Sequence, residues 1–150
     1  MNQDRRTNTA GKQVAVVIGA TSKWQSDGRN TLLAHGRTLD DSDLPFGVRW
    51  GVGGAIAQKF AAENFFVVLT TRTAANAVPL ADAIKAQGGH CMIVELDLVS
   101  QDSISAAFAT IRSDAGDPDV LVYNAGYLEG RDLPPEKDLI YELRVVLLDC

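Results

Sequence analysis

The sequence predicts a doubly wound α/β fold around a parallel sheet. Short, continuous apolar runs rich in valine, beginning with residues 14–18, alternate with stretches whose apolar residues recur every three or four positions. Continuous runs suit strands buried on both faces, and the longer period suits helices laid against a sheet. A glycine-rich turn between the first strand and the first helix adds to this pattern, although it is cut in two. Gly19-Ala20-Thr21-Ser22 follows the first run, and Gly51-Val52-Gly53 opens the first helical stretch, with the 28 residues of 23–50 between them.

The elements follow in order. Residues 14–18, Val-Ala-Val-Val-Ile, form the first strand. Val52, Ile56 and Phe60 fall at four-residue steps and predict the inner face of the first helix, with Ala55, Ala57 and Ala61 beside them and Asn64 as its end. Residues 65–70 read as the second strand. Residues 74–87 read as the next helix. Pro79 is tolerated only in a first turn, so the regular part starts near Val78. Leu80 and Ile84 are its inner stripe, and Gly88-Gly89 ends it. Residues 91–96 form the third strand. Ser100 caps a third helix whose apolar face is Ile104, Phe108 and Ile111. Gly116-Asp117-Pro118 breaks the chain, and residues 120–123 form the fourth strand. Each crossover is long enough for a parallel connection, so about four strands are expected in the order 3-2-1-4, an incomplete Rossmann-like sheet.

Composition narrows the function. Of 150 residues, 46% are hydrophobic and 22% charged, which suits a soluble domain. A net charge of −5 and the lack of a basic stripe argue against nucleic acid as a partner. No apolar stretch reaches the length of a membrane span, and the polar start is not that of a signal peptide. Two cysteines, Cys91 and Cys150, make no disulfide framework and suit the cytoplasm. Cys91 opens an apolar run and reads as an inert buried thiol. His35 and His90 have no partners at metal-ligand spacing, so no metal is expected.

Four stations carry the chemistry. A phosphate needs close backbone approach and free amide hydrogens, which glycines and a helix amino terminus provide. Gly19 turns the chain out of the strand, and Gly51 and Gly53 start the helix near a pyrophosphate, with Ser22 and Val52 alongside. After the second strand comes Thr70-Thr71-Arg72-Thr73, where a carboxylate would grip the ribose hydroxyls of NAD. Hydroxyls and a guanidinium suit a 2′-phosphate instead, favouring NADP over NAD. Asp97 leaves the third strand at the ligand edge, placed to accept from an adenine amino group or to form an Asx turn near Ser100. Asn124-Ala125-Gly126 follows the fourth strand. Its small residues allow close approach to a ribose, and the Asn124 amide ties neighbouring strands together. Tyr127 and Leu128 come next and would border the nicotinamide.

These stations together resemble the short-chain dehydrogenase/reductase superfamily, with its Thr-Gly-x-x-x-Gly-x-Gly turn, an Asp after the third strand and Asn-Asn-Ala-Gly after the fourth. This chain has Ile18 for the threonine and Tyr123 for the first asparagine. The resemblance covers residues 13–22 and 51–138. It implies the amino-terminal cofactor-binding half of an NADP-dependent oxidoreductase, with a small-molecule carbonyl or alcohol substrate, neither nucleic acid nor membrane as partner, and homo-oligomers in the intact family. The family's Ser and Tyr-x-x-x-Lys are not found here: Tyr123, Tyr127 and Tyr141 are followed four residues on by Tyr127, Arg131 and Val145. No catalytic residue is therefore assigned. The cofactor-binding half is expected to be inactive as given, and the alternatives are a non-catalytic dinucleotide sensor and a non-functional fragment from a mis-spliced gene. Residues 1–150 read as a single dinucleotide-binding domain, interrupted by an inserted loop at 23–50 and closed by an atypical, early end at 139–150. Closing a flexible insertion of that length costs about 3 kcal/mol from its logarithmic term.

Overall fold

A computed structural model describes residues 7, 8, 10–21 and 50–126. Strand β1 (Val14–Ile18) leads to helix α1 (Gly51–Ala62) and strand β2 (Phe66–Thr71). A 3₁₀ turn (Ala74–Ala77) runs into helix α2 (Val78–Ala86), followed by strand β3 (His90–Glu95), helix α3 (Gln101–Asp114) and strand β4 (Val120–Tyr123). All strand pairs are parallel, in the order β3-β2-β1-β4. β1 takes a central place, with Val16 opposite Val68 on one side and Leu121 on the other. The expected alternation and strand order are those observed. β2 and β3 are displaced by one residue from the expected 65–70 and 91–96.

The continuous apolar run of β1 is explained by a core on each face of the sheet. Val14, Val16 and Ile18 point to one face, where they meet Phe66, Val68, Ala107 and Ile111. Val17 points to the other and joins Leu69, Ala57, Leu80 and Ile84. Both faces of the strand therefore need apolar side chains, each contributing roughly 1.5–3 kcal/mol when fully buried.

Local chemistry sets the helix ends. Pro79 sits in the first turn of α2, and Gly88 closes it at φ +79°. Ser100 caps α3, its hydroxyl accepting from the Ser103 amide at 3.2 Å. Asn64 ends α1 at φ +68°, and the rings of Phe60 and Phe65 meet edge-on across that turn at 5.1 Å. The carbonyls at the end of α3 find partners far away in sequence. Thr7 and Asn8 donate their amides to Asp114 O, and the buried Asn8 side chain donates to Ala115 O at 3.0 Å and Lys12 O at 2.9 Å. Asp119 fastens the start of β4, accepting from the Val14 amide at 2.7 Å.

Two expectations are corrected. Val52 does not belong to the inner face of α1, since it is 68% exposed. The buried positions are Gly53, Gly54 and Ala57, with Ile56 and Phe60 packed only partly. The helix approaches the end of β1 so closely that only very small residues fit between. Trp50, assigned to the inserted loop, is 4% exposed and belongs to the core with Ala20 and Ala57. A methyl group on Gly54 would lie 2.5 Å from Trp50 Cβ, so the Trp50 side chain begins in the space that this glycine leaves. Residues 23–49 and 139–150 lie outside the described residues.

Candidate functional site

The carboxyl ends of β1, β2, β3 and β4 meet along one edge of the sheet, and all four stations lie there. Gly19 leaves β1 at φ +78°, a region that L side chains enter at a cost of roughly 1–2 kcal/mol. A methyl group on it would stand 2.8 Å from Ala125 N and Cα, so the chain after β1 is pressed against the chain after β4. Gly53 lies on the same spot. A methyl group there would be 2.2 Å from the Gly19 carbonyl oxygen and 2.7 Å from Asn124 Nδ2. The two halves of the glycine turn, separated by 28 residues in sequence, are thus in direct contact. Gly51 opens α1 at φ +68°.

Asn124 locks this junction. Its Nδ2 donates to Gly19 O at 3.0 Å, and its backbone amide donates to Ile18 O at 2.9 Å. The expected tie between neighbouring strands is therefore present. Ala20 N donates to Thr70 O at 3.1 Å, and the Thr70 hydroxyl donates to Val17 O at 3.1 Å. The first half of the turn is thus held by β2 and by the chain that follows β4.

The amino terminus of α1 carries no side-chain cap and no acidic residue in its first turn. α3 differs, with the Ser100 cap and Asp102 in its first turn. Free amides and the positive end of the helix dipole, equivalent to about half a charge, therefore suit an external anion at α1. Val52, in this first turn, is the exposed residue already noted.

The remaining positions differ in how free they are. Arg72 is exposed and pairs with no carboxylate among the described residues. Thr71, expected to offer its hydroxyl outward, is buried. Its Oγ1 accepts from the Thr21 hydroxyl at 3.0 Å, so this expectation is corrected and the guanidinium stands alone. Asp97 realises the turn geometry: Oδ1 accepts from the Val99 amide at 3.1 Å, and its own amide donates to Ser103 Oγ at 2.9 Å. Among the described residues Oδ2 accepts from no donor and stays open to a ligand. Among the described residues, a methyl group on Gly126 would meet nothing within 4 Å. Ser22, Tyr127 and Leu128 lie outside the described residues.

The sequence reading missed Glu95. Its Oε1 accepts from the Ala74 amide at 2.8 Å, which brings a carboxylate from β3 to the loop after β2. The only signal was its place two residues before Asp97, on the same side of an extended chain. Away from this edge, Cys91 is half-buried, its thiol pushed up by desolvation and directed at Ala81 O at 3.6 Å. Among the described residues no cluster of His, Cys, Asp or Glu has the makings of a metal site, and no helix is long and apolar enough to cross a membrane.

Comparison with known proteins agrees with the fold. Residues 46–140 match the family described as short chain dehydrogenase. An uncharacterized oxidoreductase of Mycobacterium tuberculosis is 32% identical, over 95% of this chain and 46% of that protein. A metagenomic short-chain oxidoreductase, solved in complex with NADP, is 31% identical with a TM-score of 0.55, covering 77% of this chain and 39% of its own. The L-sorbose reductase of Gluconobacter frateurii, solved with NADPH and L-sorbose, is 26% identical with a TM-score of 0.55, covering 77% of this chain and 34% of its own. The chain spans about half the length of the curated relatives it matches over most of its length. The family match begins at residue 46, beyond β1 and Gly19.

Proposed function

The chain belongs to the short-chain dehydrogenase family, and from that premise we propose that residues 1–150 act as the NADP-binding domain of an oxidoreductase. The observation that carries this reading is the contact of Gly53 with Gly19 and Asn124, which rebuilds a phosphate-binding turn from two distant pieces. The donor set fits an anionic dinucleotide: helix amides without a side-chain cap and an exposed arginine.

In this reading Gly19, Ser22, Gly51, Val52 and Gly53 border the pyrophosphate, whose charge the α1 amides stabilise. Arg72 meets the 2′-phosphate, with its fork of donors matched to the phosphate oxygens. Asp97 accepts from the adenine amino group through the oxygen not used in its turn. Asn124, Ala125 and Gly126 let the backbone pass close to a ribose. When bound, the nicotinamide gives or takes a hydride at a carbonyl or alcohol carbon of a small substrate. The complexes of the metagenomic oxidoreductase with NADP and of the sorbose reductase with NADPH support the choice of cofactor. The exposed β4 residues Leu121 and Tyr123, 54% and 67% accessible, support assembly with a further apolar surface.

The second reading is a dinucleotide sensor that binds without turnover. It shares the donor set described above and needs no Tyr-x-x-x-Lys pair, which in an enzyme would move the proton to or from the substrate oxygen. Titration of the purified chain with NADPH and NADH, followed by nucleotide fluorescence, tests both. Saturable binding that is tighter for NADPH is expected. No binding at millimolar cofactor overturns both readings, and binding without hydride transfer to any carbonyl favours the sensor.

A further inference from the structure

We infer that Glu95 is a positioning residue for cofactor selectivity: it braces the short loop that carries Arg72. This rests on the reading of Arg72 as the 2′-phosphate ligand. Arg72 and Thr73 are the only residues between the end of β2 and the 3₁₀ turn that begins at Ala74. Both ends of that link are anchored. On one side Thr71 is buried, paired with Glu95 in the sheet register, and bonded through its hydroxyl to Thr21. Its carbonyl also accepts from Leu96 N at 2.9 Å. On the other side Ala74 N donates to Glu95 Oε1 at 2.8 Å.

The second anchor does what a helix cap does, but from a neighbouring strand. Thr73 stands at the cap position of the 3₁₀ turn without a side-chain bond of its own. The Glu95 carboxylate fills that role, a charge-assisted bond at the positive end of the turn. With both anchors in place the backbone of Arg72 has little room to swing, and the guanidinium starts from a fixed point. Lost anchoring charges its ordering cost to phosphate binding. NADH has no phosphate at this place and is indifferent to it.

Glu95 also carries a negative charge near an anionic ligand, and this opposes the brace. Glu95→Gln separates the two effects, because the amide oxygen still accepts from Ala74 while the charge is gone. Ala74→Pro removes the same bond from the donor side. Thr73 already has the extended φ −135°, ψ 113° that a following proline requires, and Ala74 is the first residue of its turn.

The test measures dissociation constants of NADPH and NADH, and of 2′-AMP and 5′-AMP, for the wild-type chain and all three variants. Hydrogen exchange at the Arg72–Ala74 amides reads the brace directly. Glu95→Ala and Ala74→Pro are expected to lower the NADPH-to-NADH preference about tenfold, the scale of one hydrogen bond to a charged group. Glu95→Gln is expected to keep it, and the NADH constant is expected to stay put. An unchanged preference in Glu95→Ala overturns the inference. So does an equal loss for both cofactors, or tighter NADPH binding in both Glu95 variants, which would mean that charge outweighs position. A wild-type chain that binds neither cofactor, with normal exchange protection, overturns the reading of Arg72 and with it the purpose of the brace. A wild-type preference for NADPH that survives Glu95→Ala overturns the brace alone.

Discussion

Replacing Gly53 with alanine separates the proposed junction from an ordinary helix. In an exposed helix interior, Gly→Ala is stabilising by about 1 kcal/mol, because glycine loses more backbone entropy on folding. At Gly53 the added methyl carbon would sit 2.2 Å from Gly19 O and 2.7 Å from Asn124 Nδ2. Non-bonded carbon contacts settle near roughly 3.5 Å, so the helix or the turn has to retreat by about 1 Å. Overpacking of this kind costs about 1–3 kcal/mol. The retreat also breaks the 3.0 Å bond between Asn124 and Gly19, and leaving such a carbonyl unsatisfied adds about 1–3 kcal/mol. Set against the helix gain, the balance is a destabilisation of about 1–5 kcal/mol, with a fall in Tm of roughly 2–4 °C per kcal/mol for a chain of this size. NADPH binding should weaken at least about tenfold, because a displacement of 1 Å misplaces the phosphate amides. Thermal denaturation and a cofactor titration on the same sample provide the check. A Gly53→Ala chain that is more stable than wild type and binds NADPH as well would refute the contact between the two halves of the turn, and the functional reading built on it.

Further predictions concern parts of the fold away from the turn. Asn8→Ala removes the side-chain bonds to Ala115 O and Lys12 O. It should cost about 2–3 kcal/mol, with faster hydrogen exchange at the end of α3 and no change in the NADPH-to-NADH preference. Denaturant melts of the variant that overlay those of wild type would sink this. Burial holds the Cys91 thiol above its ordinary range. The unfolded chain therefore loses that proton first as pH rises, so this group's contribution is intact below the unfolded pKa and declines above it, until the folded pKa is reached. Wild type should lose stability relative to Cys91→Ala in that alkaline window and not at neutral pH. Thiol labelling of Cys91 at neutral pH should also run slower than that of an exposed cysteine. Parallel stability curves for the two chains across the alkaline range would contradict it.

Much of the fold was legible because its signals are local. Pro79 and Gly88 mark α2 through backbone limits that need no neighbour. Ser100 marks α3 through a bond to a residue three positions on. β1 and β4 have the bounds that the apolar runs indicate. What misled was apolar character read without distance. Val52 keeps the four-residue period of Ile56 and Phe60, yet it faces outward because the glycine face of α1 is the one pressed to the sheet. Thr71 has the chemistry to serve a phosphate, yet the neighbouring Thr21 takes its hydroxyl inward. Glu95 was passed over because its partner, Ala74, is 21 residues away.

The sequence by itself determined the alternation of strands and helices, the strand order and the positions where glycine is needed. Each of these follows from periodicity, turn chemistry or the short reach of a crossover. Only the tertiary structure decided that Gly19 and Gly53 touch, and that Trp50 belongs to the core rather than to the insertion. The cost of closing a loop grows only with the logarithm of its length, so sequence separation says little about whether two ends meet. That was settled by packing: a carbonyl, an amide and a helix that approach one another too closely for a single methyl group.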